Sequence, residues 1–316
     1  MLAAVTLVGA GYVLAGRAGA FRLSLDELRE RYAAPESKYR SVEGIELHYR
    51  DEGRGPAVLL LPGSFGTLRQ YDDVVARLKD RYRLVRIDIP GTGLSGPISD
   101  DAVRRGLRVE DLLDGLLDAL QIDRVSIYGI SSGGIEAYRF AATRPGRVQA
   151  LMLSNTPPGV VGEAGASQSP VLAALGWLSF AVMDGYRPRA YWRRFLAWVT
   201  GDPSEVTEAM VQEYFDINRR KIDRNPRLRP IPQTPGEIAP LLQQVRAPTL
   251  LLWGARGPVL PPPTMAQMAR ELTSARVTTE LLPETGHYAP GEDPDLIADR
   301  IDRFLVKAGA AAGGTP

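Results

Sequence analysis

The residues best suited to chemistry in this chain lie in the segment Gly129–Gly133, whose sequence Gly-Ile-Ser-Ser-Gly fits the pattern G-x-S-x-G. The preceding residues 124–128 alternate apolar and polar side chains, and residues 134–144 contain helix formers and no proline. A serine on a tight turn from strand to helix is held in a strained, exposed position, where its hydroxyl can act as a nucleophile. The pattern also occurs in ordinary Gly/Ser-rich turns, but this setting favours a nucleophile elbow at Ser131.

A serine hydroxyl needs a base to remove its proton, and the two histidines of the chain, His48 and His287, are the candidates. His48 lies within residues 45–50, where apolar and polar residues alternate, so we expect a structural or surface role for it. His287 lies in a late loop and is the predicted general base. The absence of cysteine excludes thiol nucleophiles and disulfides, and two histidines disfavour a histidine zinc site, so we expect no metal or cofactor.

Length and composition are those of a globular protein with one large core and room for a smaller second domain. The chain has 316 residues, of which 44% are hydrophobic and 24% are charged, and its formal net charge is +1. This near-neutral charge predicts that nucleic acid is not a partner. A basic stretch at residues 218–230 fits a solvated helix face or, alternatively, contact with anionic lipid headgroups.

The N-terminal segment Met1–Gly16 is mostly apolar and has no charged residue. Residues 1–20 fit three alternatives: a short membrane anchor, a signal peptide with Ala18–Ala20 as its cleavage site, or a helix packed on the protein. The first two alternatives predict a membrane-associated or exported protein. Residues 21–43 are highly charged and predict a linker that includes a helix over residues 24–32.

Beyond this N-terminal region, predicted strands and helices alternate along the chain. Continuous apolar runs such as Ala57–Leu61 and Thr249–Trp253 indicate strands buried on both faces, which is typical of parallel sheets. The alternation predicts an α/β fold with a mainly parallel, doubly wound sheet. We assign residues 44–156 and 246–307 to this core, and we expect the Gly- and Ala-rich residues 308–316 to form a disordered tail.

Residues 157–245 interrupt the alternation and predict a helical cap inserted between two strands of the sheet. The region has no run typical of a buried strand, and it contains several prolines and many aromatic residues. Insertions at the carboxyl ends of strands commonly cover the site below them, so we expect most of these aromatics to pack the cap and one or two to face a pocket. They are Trp177, Phe180, Tyr186, Tyr191, Trp192, Phe195 and Trp198.

Four motifs in sequence order make the chain resemble the α/β-hydrolase superfamily over roughly residues 40–307. They are the loop Leu61–Gly66 after a buried strand, the turn Asp88–Ser95 that fits D-x-x-G-x-G-x-S, the segment Gly129–Gly133, and Gly286-His287 followed by Glu292 and Pro294. The resemblance implies an α/β-hydrolase fold in which Ser131 is the nucleophile and His287 is the general base. It also implies an oxyanion hole made of the backbone N–H groups of Ser64 and Ser132.

The resemblance leaves the third member of the catalytic triad unassigned. The family usually places an aspartate after the strand that ends at Gly254, and here the turn reads Ala-Arg-Gly-Pro, with Gly257 in place of the acid. The C-terminal region is similar to the haloalkane dehalogenase branch, some members of which carry the acid at the end of an earlier strand, a position that corresponds to Asn155. Dehalogenation itself is excluded, because it needs an aspartate where this chain has Ser131.

Three hypotheses for the missing acid remain open. Asn155 orients His287 as a neutral hydrogen-bond acceptor, another acid such as Glu284 or Asp184 takes its place, or the site is not catalytic. The first two predict a serine hydrolase that cleaves small apolar carboxylic esters through an acyl-enzyme, without a cofactor. The third predicts a noncatalytic protein that binds an apolar ligand, at a membrane if the N-terminal segment is an anchor. A cofactor-free perhydrolase is a further alternative at the same residues.

Overall fold

The computed structural model describes residues 11–158, 169–220 and 235–312. Its strands are β1 (Lys38–Val42), β2 (Ile45–Gly53), β3 (Ala57–Leu61), β4 (Arg83–Ile87), β5 (Val125–Ile130), β6 (Val148–Ser154), β7 (Thr249–Gly254) and β8 (Val277–Leu282). They form one sheet in the order β1-β2-β4-β3-β5-β6-β7-β8, in which β2 pairs antiparallel with β1 and β4 and all other neighbours are parallel. The predicted α/β fold with a mainly parallel sheet is confirmed.

Helices connect the strands and cover the sheet. They are α1 (residues 11–17), α2 (Leu25–Tyr32), α3 (Asp72–Leu78), α4 (Asp100–Arg104), α5 (Val109–Ala119), α6 (Ser132–Thr143), α7 (Pro170–Met183), α8 (Arg189–Thr200), α9 (Glu208–Ile217), α10 (Pro235–Gln244), α11 (Pro263–Glu271), α12 (Ala289–Glu292) and α13 (Pro294–Ala312). Short 3₁₀ helices occur at Leu68–Tyr71, Pro145–Arg147 and Pro203–Glu205. Helix α2 begins with a capping box between Ser24 and Glu27, as expected for a helix that starts there.

The sheet is covered on both faces because its central strands are apolar along their whole length. Every residue of β5 and of β7 is buried. On one face, Leu59 and Leu61 share a core with α5, α6, α10 and α11. On the other face, Val58 and Leu60 share a core with α3 and α13. Alternate residues of a strand point to opposite faces, so one continuous apolar run contributes to two cores at once.

Helices α7, α8 and α9 form the cap, which is inserted between β6 and β7. Trp192 and Leu196 of α8 lie at the centre of its own hydrophobic core. Helix α10 lies within the range predicted for the cap, but it packs against α6 and places Ile238 and Leu242 in the core of the sheet. The remaining residues of the insert lie outside the described ones.

Two arginines of the predicted basic stretch are in the described part of the chain, and both bind other parts of the protein. Arg219 donates to Asp216 Oδ1 at 2.7 Å. Arg220 is buried and donates to the carbonyls of Ser95 at 2.7 Å and Gly93 at 3.1 Å. The bonds of Arg220 join the end of α9 to the turn Asp88–Ser95, so Arg220 holds the cap on the core.

Helix α1 packs against the cap. The Tyr12 ring lies 4.8 Å from the Phe21 ring, and the Tyr12 hydroxyl donates to the Tyr186 hydroxyl at 3.2 Å. Residues 1–10 of the predicted anchor or signal segment lie outside the described residues. Among the residues that are described, no helix is both long enough and apolar enough to cross a bilayer.

Two boundaries in the structure differ from those predicted. Residues 38–42, assigned to the charged linker, form β1 because they pair with β2. Residues 308–312, assigned to a disordered tail, continue α13, since their alanines are strong helix formers. The last four residues, 313–316, lie outside the described part of the chain.

Candidate active site

Ser131 occupies the turn between β5 and α6 in a backbone conformation that residues other than glycine rarely adopt. Its φ is 52° and its ψ is −125°. Its N–H donates to the Ser154 carbonyl at 3.0 Å, and its own carbonyl accepts from the Gly134 N–H at 3.0 Å. These bonds tie the strained turn to β6 on one side and to the first turn of α6 on the other. The side chain is partly exposed, so the serine has the geometry of a nucleophile elbow.

Glycines on both sides of Ser131 allow this turn to be tight. A methyl group on Gly129 would lie 2.6 Å from the Gly133 carbonyl oxygen. A methyl group on Gly133 would lie 2.3 Å from the Leu61 carbonyl oxygen. Both distances are shorter than a van der Waals contact, so only glycine lets β5, α6 and the end of β3 approach this closely.

The loop after β3 lies beside the serine. A methyl group on Gly63 would lie 3.3 Å from the Ser131 Cβ atom, and the Ser64 hydroxyl donates to the Ser132 hydroxyl at 2.9 Å. Within the described residues the Ser64 N–H has no hydrogen-bond acceptor, and the Ser132 N–H is one of the unpaired amides at the start of α6. The fold therefore brings both predicted oxyanion donors next to the predicted nucleophile.

His287 is carried across the end of the sheet by the segment between β8 and α12. Gly286 lies on the end of β7, where a methyl group on Gly254 would be 1.8 Å from the Gly286 carbonyl oxygen. Helix α12 packs against α3 and against the 3₁₀ helix Leu68–Tyr71, which follows β3. Because β5 and β6 lie between β3 and β7, this path crosses the carboxyl ends of the two strands that precede Ser131 and Asn155. No hydrogen bond joins the Ser131 hydroxyl to His287 in the part of the chain that the structure describes.

One ring nitrogen of His287 has no hydrogen-bond partner among the described residues. The residue as a whole is partly exposed, but its Nδ1 atom is buried and has no hydrogen-bond partner among the described residues. Burial lowers the pKa of His287 to about 4, because loss of water disfavours the imidazolium ion. The ring is therefore neutral at pH 7, as a general base must be, but it is weakly basic and lacks the partner that normally fixes its tautomer.

Asn155 does not supply this partner. It is buried, and its side-chain amide is engaged at both ends by the backbone of Gly254. Asn155 Oδ1 accepts from the Gly254 N–H at 3.0 Å, and Nδ2 donates to the Gly254 carbonyl at 3.2 Å. These bonds join the ends of β6 and β7. The hypothesis that Asn155 orients His287 is therefore corrected: in the structure this side chain holds two strands together.

The two alternative acids do not supply the partner either. Glu284 is exposed to solvent. Asp184 follows the last residue of α7, is exposed, and forms an ion pair with Arg22 at 3.6 Å. The side chain of Asp184 thus faces the N-terminal segment on the outside of the cap.

A carboxylate nevertheless holds the backbone around His287, and it belongs to Glu292. This carboxylate accepts from the N–H groups of Gly286 at 2.5 Å and Tyr288 at 2.8 Å, the residues that flank the histidine. Burial raises the pKa of Glu292, while the two amides and Arg256, at 3.1 Å, oppose that rise. Arg256 lies in the turn where the family's acid was expected, so here the turn steadies the backbone of the histidine and not its ring. The Gly-His motif includes Glu292, but sequence reasoning missed this function.

The cap also holds the segment that carries His287. The His287 N–H donates to the Val199 carbonyl of α8 at 2.9 Å. Arg256 donates to Glu205 of the cap at 2.5 Å, in addition to its contact with Glu292. The segment that carries His287 is thus hydrogen-bonded to the C-terminal end of α8 and also contacts the sheet at Gly254.

His48 lies in a separate network in which both ring nitrogens are hydrogen-bonded. Its Nδ1 is 2.8 Å from Asp88 Oδ2, and its Nε2 is 2.8 Å from Ser37 Oγ. Asp88 also accepts from the N–H groups of Leu68 and Leu94, so it holds two loops together. The histidine is fully buried, which agrees with a structural role.

An apolar pocket of about 340 Å³ lies between the cap and the loop after β3. Aromatic side chains predominate in its wall, and Arg187 is its one charged lining residue among those described. Phe65, which directly follows Ser64 in the chain, is the lining residue from the loop after β3, and Ser64, Ser131 and His287 do not line the pocket. Four of the predicted cap aromatics face the pocket, which is more than the one or two expected. The aromatic lining residues are Phe65, Trp177, Tyr191, Phe195 and Trp198.

The sheet, the strained serine and the histidine loop together define a serine-type α/β hydrolase. A model of the Alpha/beta hydrolase family matches residues 58–300, and the chain belongs to this family. It is 30% identical to 2-hydroxy-6-oxononadienedioate/2-hydroxy-6-oxononatrienedioate hydrolase 1 of Dechloromonas aromatica, over 87% of this chain and 96% of the relative. It is 28% identical to a hydrolase of the same activity from Paraburkholderia xenovorans, over 83% and 90% of the two chains.

Solved structures share the fold at lower sequence identity. A membrane phospholipase A, described as a bacterial virulence factor, has a TM-score of 0.69 at 23% identity and covers 97% of both chains. Naproxen esterase of Bacillus subtilis has a TM-score of 0.69 at 21% identity, over 89% of this chain and 95% of the esterase. These likenesses confirm the α/β-hydrolase fold that the sequence motifs predicted.

Proposed function

We propose that this protein hydrolyses carboxylic esters through an acyl-enzyme intermediate on Ser131. The Ser131 oxygen attacks the ester carbonyl carbon, and the serine proton passes to Nε2 of His287. The resulting oxyanion is stabilised by the N–H groups of Ser64 and Ser132. Collapse of this intermediate expels the alcohol, which takes the proton from His287. Water then attacks the acyl carbonyl in the same way, releasing the carboxylic acid and restoring the serine hydroxyl.

The observation that carries the proposal is the strained position of Ser131 beside two amides that have no acceptor among the described residues. Backbone N–H groups aimed at the place where negative charge develops usually make a large contribution to acyl transfer. The turn holds the nucleophile in place before substrate binds, which removes an entropic cost from the reaction. Neither of these effects depends on a triad acid.

The pocket supports an apolar ester as substrate. Its wall is mostly aromatic, and it borders the oxyanion loop at Phe65. Burial of an apolar acyl or alcohol chain there provides about 25 cal/mol per Å² of surface removed from water. An ester whose chain fills the pocket places its carbonyl at the loop that carries Ser64.

The absence of a partner on His287 Nδ1 predicts slow turnover. To act as a base through Nε2, the neutral ring must carry its proton on Nδ1, and this N–H has no acceptor among the described residues. In a serine protease, loss of the carboxylate partner lowers kcat about 10⁴-fold, largely because the wrong tautomer forms. We therefore expect the hydrolase to be well below typical esterases in kcat.

Labelling with a fluorophosphonate tests the proposal directly, since the reagent forms an adduct with an activated serine. We expect one adduct, located at Ser131 by peptide mass spectrometry, and p-nitrophenyl butyrate turnover that Ser131→Ala abolishes. Ser37→Ala is the matched control, because Ser37 contacts the other histidine at 2.8 Å. Absence of an adduct, or equal labelling of Ser131→Ala, would overturn the proposal. An apolar ligand that raises the Tm of Ser131→Ala under those conditions would then support the noncatalytic alternative.

A second candidate reaction is hydrolysis of 2-hydroxy-6-oxo-dienedioates, the compounds in the names of the relatives. Arg187 favours it, since a guanidinium in an otherwise apolar wall can pair with a substrate carboxylate. If this is the reaction, Arg187→Met raises KM for such a dicarboxylate at least about tenfold but leaves KM for p-nitrophenyl butyrate nearly unchanged. Equal effects on both substrates would contradict it.

A further inference from the structure

Helix α7 carries a large apolar surface that faces solvent. Its sequence, residues 170–183, contains no ionisable side chain. Val171 is 50% exposed, Leu178 is 48% exposed and Trp177 is 71% exposed. Monomeric soluble proteins rarely expose apolar side chains contiguously, and such a patch marks an interaction site.

The exposed residues cover a broad arc of the helix. Val171, Leu175 and Leu178 are spaced by four and three positions, which places them in one row, and Trp177 lies about 120° further round the helix. The arc that contains Leu172 and Ser179, about a quarter turn from the row in the other direction, is buried. The buried side already serves the cap, so the exposed row is available to something outside the described protein.

The N-terminal segment meets α7 at the end of this row. A methyl group on Gly16 would lie 2.8 Å from the Met183 side chain, and Tyr12 contacts Tyr186 in the following turn. Leu14, between these contacts, is 66% exposed. The residues before α1, which lie outside the described part, carry no charge in the sequence. The described helix α1 thus contacts the C-terminal end of the uncharged helix α7.

The pocket is reached from the same helix. Leu172, Ala173, Gly176 and Trp177 of α7 form part of its wall. Trp177 both lines the pocket and is the most exposed large apolar residue among those described. An apolar chain that lies along α7 thus meets the pocket at Trp177.

We propose that the exposed row of α7, together with Leu14 and Trp177, lies in the interface of a lipid bilayer. Helix α7 has 14 residues, or about 21 Å, and is too short to span the roughly 30 Å apolar core of a bilayer, so it lies in the plane of the interface. Tryptophan is favoured at that depth. A lipid surface fits better than a second copy of the chain, because the adjoining N-terminal segment is also uncharged and because a protein on α7 would cover the pocket wall.

Binding of the full chain to lipid vesicles tests this surface, and the fluorescence of Trp177 reports on α7 specifically. We expect phosphatidylcholine vesicles with acyl chains brominated near the headgroup to quench Trp177 fluorescence, measured as the difference between the unmodified protein and Trp177→Phe. Leu175→Gln combined with Leu178→Gln weakens vesicle partition about tenfold or more. Val306→Gln is the matched control, since Val306 is 52% exposed on α13 and is expected to leave partition unchanged.

Three outcomes would overturn the proposed surface. One is vesicle binding without Trp177 quenching, which assigns attachment to the N-terminal segment alone. Another is no vesicle binding together with a change of oligomeric state in the Leu175/Leu178 double variant, which assigns the row to a second copy. The third is loss of binding in 1 M NaCl, since that assigns attachment to charge. Entry of substrate from the bilayer rests on the proposed function, whereas vesicle binding does not. We therefore expect Ser131→Ala to bind vesicles like the unmodified protein.

Discussion

The two histidines of this protein have opposite surroundings. His48 is fully buried, and both of its nitrogens are hydrogen-bonded, to Asp88 on one side and to Ser37 on the other. His287 is partly exposed, and its buried Nδ1 has no partner among the described residues. Ser37, His48 and Asp88 therefore form a hydrogen-bonded series of serine, histidine and aspartate, but this series does not include Ser131 of the nucleophile elbow.

The comparison distinguishes two requirements of a serine hydrolase. One is the backbone geometry that positions the nucleophile and the oxyanion donors, and the other is the partner that orients the general base. Ser37 accepts from the Ala34 N–H at 3.0 Å in an ordinary turn, and its φ is not positive. Ser131 has the strained turn and the two neighbouring oxyanion amides, but its histidine has no acid partner among the described residues. A hydrolase site that retains only oxyanion donors and substrate binding still accelerates its reaction about 10³- to 10⁴-fold. The elbow is therefore the stronger candidate, although its triad is less complete.

Replacing His287 gives the largest effect expected from this comparison. His287→Ala lowers kcat/KM for p-nitrophenyl butyrate about 10²-fold, because a base without its acid partner contributes only part of the effect of a complete triad. Its Tm stays close to that of the unmodified protein, since a part-exposed ring with an orphaned nitrogen adds little stability. If turnover is undiminished in His287→Ala, the general base has been assigned to the wrong residue.

Replacing His48 affects stability and leaves catalysis intact. His48→Ala removes a buried partner of Asp88 and lowers the free energy of unfolding by about 2–4 kcal/mol, measured by urea titration. Activity per folded molecule is retained. Ser37→Ala, which removes only the outer hydrogen bond, lowers the free energy of unfolding by about 1 kcal/mol. A His48 variant of full stability and low kcat would reverse the roles of the two histidines.

Weakening the support of His287 has a smaller effect on the rate. Arg256→Met removes the charge that holds Glu292, so the two amides that flank His287 are held less firmly, and kcat falls about tenfold. KM for a short ester changes little, because Arg256 does not line the pocket. Arg256→Lys restores part of kcat. A lower Tm with unchanged kcat would instead indicate a purely structural ion pair.

The pH dependence of kcat/KM tests the surroundings of His287 in the unmodified protein. Because the pKa of His287 is lowered to about 4, its base form persists below the ordinary value of 6.5. We expect kcat/KM to stay level from pH 7 to pH 5 and to fall as the pH approaches 4. Protonation of the unfolded chain begins near pH 6.5, so His287 also reduces stability as the pH falls from there towards 4. An acidic limb near pH 6.5 in kcat/KM would show that a partner reaches Nδ1 in the working enzyme.

The sequence predicted the elements of this fold because their signals are local. Residues 124–144 identify the elbow through a strand, two glycines and a helix, and the structure has the same strained turn. The continuous run Ala57–Leu61 predicted a strand buried on both faces, and its residues divide between two cores. Scarcity of histidine limited the candidate bases to two, and the alternating pattern around His48 distinguished it from His287.

The parts that the sequence missed depend on partners distant in the chain. Asn155 lies at the end of β6 as predicted, but its hydrogen bonds go to Gly254, 99 positions away, and nothing in the local pattern specifies that direction. Helix α10 has an apolar face that suits a cap or a sheet equally well, and only tertiary packing against α6 decides between them. The contact between Arg256 and Glu292, which supports the backbone of His287, likewise joins two segments that are 36 positions apart.

The attachment of the histidine loop to α8 has a consequence for substrate selection. The His287 backbone is held by Val199, and Arg256 contacts both Glu205 and Glu292, so the base moves with the C-terminal end of this cap helix. Phe195 and Trp198 of the same helix line the pocket. A chain of the wrong size that displaces these rings also shifts the imidazole relative to the serine. For the proposed ester reaction, we expect an ill-fitting substrate to bind and still be cleaved slowly, so that selectivity is set at proton transfer more than at binding.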